Sequence, residues 1–187
     1  MQIPFRDHRR REPDDGFAWL MPACPPDGDE TDTELSFTPA ALRALLATVG
    51  SRPPESGAKL FGPVDGFGVD VVEFDVRGSA QAGGAVYAPD TEWGSSRLEH
   101  WISCSGAEQR LWTGDAHSHP GGFGRPSNRS GEGLGDLGYV EAVFDQNEVQ
   151  FEFCIPILTG TGRGRDDIRL HPWVVFRSDP DRPRWAR

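Results

Sequence analysis

Leu42, Leu45, Leu46 and Val49 recur at spacings of three and four residues, which puts them on one face of a helix. Thr38 stands where an N-cap hydroxyl can accept an unpaired backbone N–H, and Pro39 suits the first turn, where its missing N–H is not needed. Gly50 is the expected stop. Beyond it the period shortens to two. Residues 59–62 read as a short strand, residues 68–76 as a stronger one from alternation and β-branched content, and residues 85–87 as a third. Residues 92–103 read as a helix with Trp93, Leu98 and Trp101 inward. Residues 111–116 read as a strand that runs straight into His117, followed by a Gly-rich loop over 120–135. A helix is expected over 136–144 with Asp136 at its start, then strands over 149–158 and 168–176, the last of the chain. Short strands interrupted by three helices predict an α/β or α+β fold around one mixed sheet. No internal repeat is present.

The chain has 187 residues, enough for one domain with an adequate core. Six Trp and eleven Phe supply apolar bulk, while 23 Gly and 16 Pro imply many loops. Residues 1–33 read as an N-terminal extension, partly disordered or partner-binding. It carries the basic Arg9-Arg10-Arg11, an apolar patch over 17–21 expected to pack on the domain, and an acidic, Pro-rich tract around Pro25 to Glu30. Residues 34–178 are the expected domain, and 179–187 a C-terminal tail.

A net charge of -10 pushes the molecule away from nucleic-acid backbones. Cys24, Cys104 and Cys154 are odd in number and far apart, so neither a zinc knuckle nor a disulfide framework is expected. Cys104 and Cys154 sit in apolar company and are expected to be buried, inert thiols. The first residues lack the apolar core of a signal peptide, and no run reaches the length of a membrane span. A reducing cytoplasm is the expected location.

The candidate chemistry lies in Gly114-Asp-Ala-His117-Ser-His119-Pro-Gly. Residues two apart in a strand share a face, so His117 and His119 can address one metal. Asp136, at the start of the next helix, would complete three ligands and leave a position open. Glu55, in Pro-Pro-Glu55-Ser-Gly, is the candidate base, on a strand that can run beside the histidine strand. Ser127 is the candidate donor to a developing oxyanion. His100 is expected on a helix face and His171 in a strand, without such company. Asp115 is open between an acceptor behind the histidines and a solvent residue at a strand end. Arg125 and Arg129 read as solvated loop charges.

His117-Ser118-His119-Pro120, Pro126-Ser127, Asp136 and the upstream Pro54-Glu55-Ser56-Gly57 resemble the signature of the JAMM (JAB1/MPN/Mov34) metalloproteases. The resemblance extends over most of residues 35 to 177. It implies a JAB/MPN-like curved mixed sheet flanked by helices, and one zinc ion per chain held by His117, His119 and Asp136. It also implies Glu55 as general base and Ser127 as the oxyanion-stabilising serine. The family's Asp follows its serine by three residues, where this chain has Ser130; Asp136 comes six residues later. The extra residues read as a loop insertion, with Glu132 the rival ligand and Ser130 the substitute for Ser127. The implied activity is that of a zinc isopeptidase or endopeptidase cutting after the C-terminal glycine of a ubiquitin-like, β-grasp protein. The small chain resembles stand-alone bacterial members of conjugation systems, including antiphage-defence systems with E1-like and E2-like partners. Alternatives are release of an amino acid or small adduct from a sulfur-carrier protein, and a catalytically silent MPN scaffold.

Overall fold

The computed structural model describes residues 21–22, 32–49, 55–64, 67–81, 87–120, 122–128, 135–160 and 168–187. The first helix, α1 (Pro39–Thr48), starts as the sequence predicts: Thr38 Oγ1 accepts the backbone N–H of Ala41 at 3.2 Å. Its last turn closes on Val49, whose N–H reaches the Leu45 carbonyl; Gly50 lies outside the described residues. The strands are β1 (Met21–Pro22), β2 (Ser36–Phe37), β3 (Gly57–Pro63), β4 (Gly68–Val69), β5 (Val71–Phe74) and β6 (Arg110–His119). After them come β7 (Glu152–Cys154), β8 (Ile157–Thr159), β9 (Arg169–His171), β10 (Trp173–Phe176) and β11 (Asp179–Trp185). The remaining α-helices are α2 (Val76–Gln81), α3 (Thr91–Ser103) and α4 (Gly135–Gln146). No helix among the described residues is long and apolar enough to cross a membrane.

Strand β6 is central. It pairs antiparallel with β3, which pairs antiparallel with the edge strand β5. On its other side it pairs parallel with β7 at Gly114 and with β8 at His117–His119. Beyond these, β10 pairs with β7 and β9 with β8, both antiparallel. The expected single strands over 149–158 and 168–176 are therefore each two. Pro156 and Pro172 separate them, because proline has no N–H to give a ladder. Among the described residues, β2 and β4 stand apart as a parallel pair. The expected class, a mixed sheet with helices packed on it, is the observed one.

Three other expectations are corrected. The strand read over 68–76 is cut twice. It passes from β2 to β3 at Asp70, and it stops at Phe74 because Asp75 Oδ1 accepts the Gly78 N–H at 2.7 Å. That bond makes Asp75 an N-cap and turns Val76 into helix. Of the strand read over 85–87, Tyr87 is not in a strand and the other two residues lie outside the described set. Residues 179–187 are more than a tail: β11 pairs antiparallel with β10, and Trp185 packs edge-on against Trp173 with ring centroids 5.2 Å apart. Two prolines and alternating charges hide this strand in the sequence, yet both are tolerated on an edge. Of the extension, Met21–Pro22 pairs parallel with β9; Arg9 to Arg11, the rest of the 17–21 patch and the tract from Pro25 to Glu30 lie outside the described residues.

Strand alternation divides the core. Cys154, Leu158, Leu170 and Val174 face α1, where Leu42, Leu45, Leu46 and Val49 cover them. Phe153, Ile155, Ile157, Trp173 and Val175 face the other way and meet Leu137, Val140, Val143 and Phe144 of α4. On this second face lie the chemistry-bearing residues of β3 and β6.

Candidate metal centre

His117 and His119 end β6 on one face, as the alternation predicts, and β3 runs beside them as expected. The antiparallel register sets Gly57 opposite His117 and Lys59 opposite Asp115, so Glu55, two residues before Gly57, projects on the histidine face. Helix α4 brings Asp136 over the same spot. Its entry turn requires a glycine: Gly135 has φ +59°, and a side chain there would strike the Asn128 carbonyl. Asn128 and Gly135 thus lie together at the two ends of the inserted loop. Glu132 and Ser130, within the insertion, and Arg129, just before it, lie outside the described residues.

Donor atoms of three residues converge. His117 Nε2 lies 2.9 Å from His119 Nε2 and 3.2 Å from Asp136 Oδ1, and His119 Nε2 lies 3.6 Å from Asp136 Oδ2. This is the one His/Cys/Asp/Glu group among the described residues whose ligand atoms gather closely enough for a metal. Tetrahedral zinc bonds of about 2.0–2.2 Å leave neighbouring donors roughly 3.3–3.6 Å apart; the two separations to Asp136 are close to this spacing, and the histidine nitrogens lie closer together than it. The His119 tautomer also fits. Its Nδ1 lies 2.7 Å from the Phe123 carbonyl, an acceptor only, so Nδ1 carries the proton and Nε2 presents its lone pair toward the His117 and Asp136 side chains.

The electrostatics agree with a cation site. Burial works against charge on His117, but the carboxylates of Asp136, Glu55 and Asp115 outweigh it and raise its pKa. Burial and the neighbouring His117 lower that of His119. Burial alone would raise the Asp136 carboxyl; His117 and the donors of Ser127 hold it below the usual range. Glu55 is 9% exposed, and burial raises its pKa against the opposing pull of His117. The backbone N–H of Tyr87 donates to the Glu55 carboxylate, the Tyr87 ring lies against Gly57, and its hydroxyl donates to buried Asp75 at 2.7 Å.

Ser127 holds Asp136. Its N–H and its hydroxyl both donate to Asp136 Oδ2, at 2.6 and 2.9 Å, and its oxygen accepts the Asp136 N–H at 3.0 Å. The hydroxyl proton expected to face a developing oxyanion therefore rests on the carboxylate. Asp115 is neither of the things the sequence left open: it is 7% exposed and bonds to Lys59, Trp112 and Tyr139 instead of a histidine. His100 is exposed on α3, and His171 in β9 bonds Thr159 Oγ1 at 2.8 Å. Arg125 is an exposed loop charge with its guanidinium over Trp173. Cys154 is buried, which raises its thiol pKa, whereas Cys104 is only half-buried because it ends α3 at the surface. Tyr87 and the Phe123 carbonyl were missed from sequence: one is far along the chain, and the other is a backbone group with no sequence signal.

No protein-family model and no curated protein matches this chain. Among solved structures, the solution structure of protein DSY2949 from Desulfitobacterium hafniense is similar with a TM-score of 0.51 at 15% identity, over 78% of this chain and 86% of that one. The crystal structure of AF2198, a JAB1/MPN domain protein from Archaeoglobus fulgidus, overlaps more loosely. Its TM-score is 0.38 at 17% identity, over 81% of this chain and 95% of that one. At such identities the first likeness is one of fold alone, and the second carries no conclusion about this chain.

Proposed function

We propose that this chain is a zinc-dependent isopeptidase or endopeptidase that cuts after the C-terminal glycine of a ubiquitin-like protein. The observation that carries the hydrolytic reading is the convergence of His117, His119 and Asp136 with a buried carboxylate, Glu55, on the same face. The substrate class rests on the resemblance of the motifs to the JAMM signature. By the same resemblance the ubiquitin-like protein belongs to a bacterial conjugation system with E1-like and E2-like partners.

His117 and His119 would hold the ion through Nε2 and Asp136 through a carboxylate oxygen. Zinc bound there supplies a Lewis acid and lowers the pKa of a water to roughly 7. Glu55 takes a proton on its carboxylate from the attacking water and returns it to the leaving amine nitrogen. Its raised pKa suits both halves of that exchange. The Tyr87 N–H keeps the carboxylate aimed. The Phe123 carbonyl keeps His119 in its ligating tautomer. Ser127 orients Asp136, and rotation of its hydroxyl would turn the same proton toward a substrate carbonyl oxygen. A glycine tail is narrow enough to lie extended beside Gly122, exposed Phe123 and Gly124.

The test is incubation of the zinc-loaded chain with a ubiquitin-like fusion and, separately, with a sulfur-carrier adduct. Cleavage of the fusion after its terminal glycine, strongly reduced by Glu55→Ala without loss of zinc, is expected. Preference for the carrier adduct would replace the substrate class. Full zinc occupancy with neither substrate cut would leave a scaffold.

A further inference from the structure

The side chains that carry the proposed site come from three elements: Glu55 precedes β3, the histidines end β6, and Asp136 begins α4. One step below the site, the same three elements are joined a second time. Asp115, two residues before His117, shares its face of β6. Tyr139, three residues after Asp136, shares its face of α4. Tyr139 donates to Asp115 Oδ2 at 2.7 Å, so this contact runs alongside the one from His117 to Asp136. Lys59, opposite Asp115 in the ladder, reaches Oδ2 at 3.1 Å, and Trp112 Nε1 donates to Oδ1 at 2.8 Å.

The ion pair at the centre of the cluster is buried, with Trp112 and Tyr139 half-buried around it. Lys59 is 6% exposed, and its ammonium also lies 4.3 Å from the centre of the Trp112 ring. Gly94 of α3 lies over the Lys59 stem, where an added Cβ would come within 2.4 Å of Cε. A buried ion pair is weak evidence for stability, since desolvation offsets its attraction, so another reason for it is called for. Hydrogen bonds are directional where apolar packing is not; those from Lys59 and Tyr139 to one carboxylate tie β3 and α4 to β6, and the one from Trp112, on β6 itself, holds that carboxylate in place.

We propose that Asp115, with Lys59 and Tyr139, is a positioning residue: it sets the spacing between β6 and α4 at which His117, His119 and Asp136 can share one cation. This rests on the metal reading above. It assigns Asp115 no contact with substrate or ion.

The experiment is cobalt(II) titration of the full chain followed by d–d absorption, with zinc affinity from chelator competition. Four proteins are compared: wild type, Tyr139→Phe, Asp115→Asn and Arg110→Gln. Tyr139→Phe keeps the ring beside Phe153 and removes only the hydroxyl. Arg110→Gln breaks the Arg110–Asp70 ion pair at the far end of β6 and serves as the structural control. Tyr139→Phe is expected to weaken metal affinity about 10- to 100-fold and to alter the cobalt spectrum while circular dichroism is unchanged. Arg110→Gln is expected to keep the wild-type affinity and spectrum. If Asp115→Asn does not fold, Tyr139→Phe still decides. A Tyr139→Phe chain with wild-type affinity and spectrum overturns the inference and leaves the metal reading standing. A wild type that takes up no cobalt or zinc overturns both.

Discussion

Where α1 covers the sheet, Leu42, Leu45, Leu46 and Val49 meet Leu60, Leu158, Leu170 and Val174. Where α4 and α3 cover the other face, the same sheet turns Glu55, Lys59, Asp115 and His117 inward, all at most 9% exposed. The first face is held by apolar burial, which is strong and indifferent to direction. The second buries charge, which costs free energy unless each group finds partners. Those partners are present: Asp115 has three donors, and Asp136 has His117 and Ser127. The contrast teaches a division of labour: the α1 face contributes apolar burial alone, whereas the α4 face adds to its own apolar core a set of directional polar contacts that fix geometry.

The sharpest way to break that contrast is to remove a ligand. His117→Ala and Asp136→Ala should abolish both metal content and hydrolysis, with the fold kept, as read by zinc analysis and circular dichroism. Loss of the fold in place of the metal would mean that the polar groups of the α4 face carry stability as well as geometry. Glu55→Ala should lower turnover about 10²- to 10⁴-fold while zinc is retained, since it removes a base and no ligand. Leu45→Ala, on the α1 face, should cost about 2–5 kcal/mol in urea unfolding and leave the metal content of the folded protein unchanged. Ser127→Ala should weaken zinc affinity about tenfold through loss of its bonds to Asp136. A remaining loss of turnover at saturating zinc is expected from the oxyanion role; full recovery would confine Ser127 to orienting Asp136.

The smallest effect concerns His171, at the margin of the α4 face. Burial, helped by Arg169 and His119, lowers its pKa to about 4. The folded state therefore keeps it neutral, while the unfolded chain takes up a proton as pH falls through the ordinary value of 6.5. Its contribution is whole above that value and diminishes between there and pH 4. His171→Asn should flatten this part of the stability profile in urea unfolding followed from pH 7.5 to pH 5. An unchanged slope would mean that His171 is not the group responsible.

Much of this was legible before the fold was known, for physical reasons. The helix α1 shows in sequence because one side is apolar and Thr38 caps it. The histidine strand shows because alternation fixes which residues share a face. Pairings distant in sequence do not show. Tyr87 reaches Glu55 only through the folded chain, and the three donors to Asp115 come from β3, β6 and α4. Local chemistry also misled. The alternation of 68–76 conceals the Asp75 cap that ends it, and the prolines and charges of β11 suit an edge strand but read as a tail. Ser127 was found at the site, but the direction of its hydroxyl is a product of the turn into α4.

The most direct measurement is the zinc content of the purified chain beside that of Asp136→Ala. One ion per wild-type chain, and none in the variant at equal folded fraction, is the predicted result. A wild type without zinc after reconstitution, or a variant that keeps its full complement, contradicts the account.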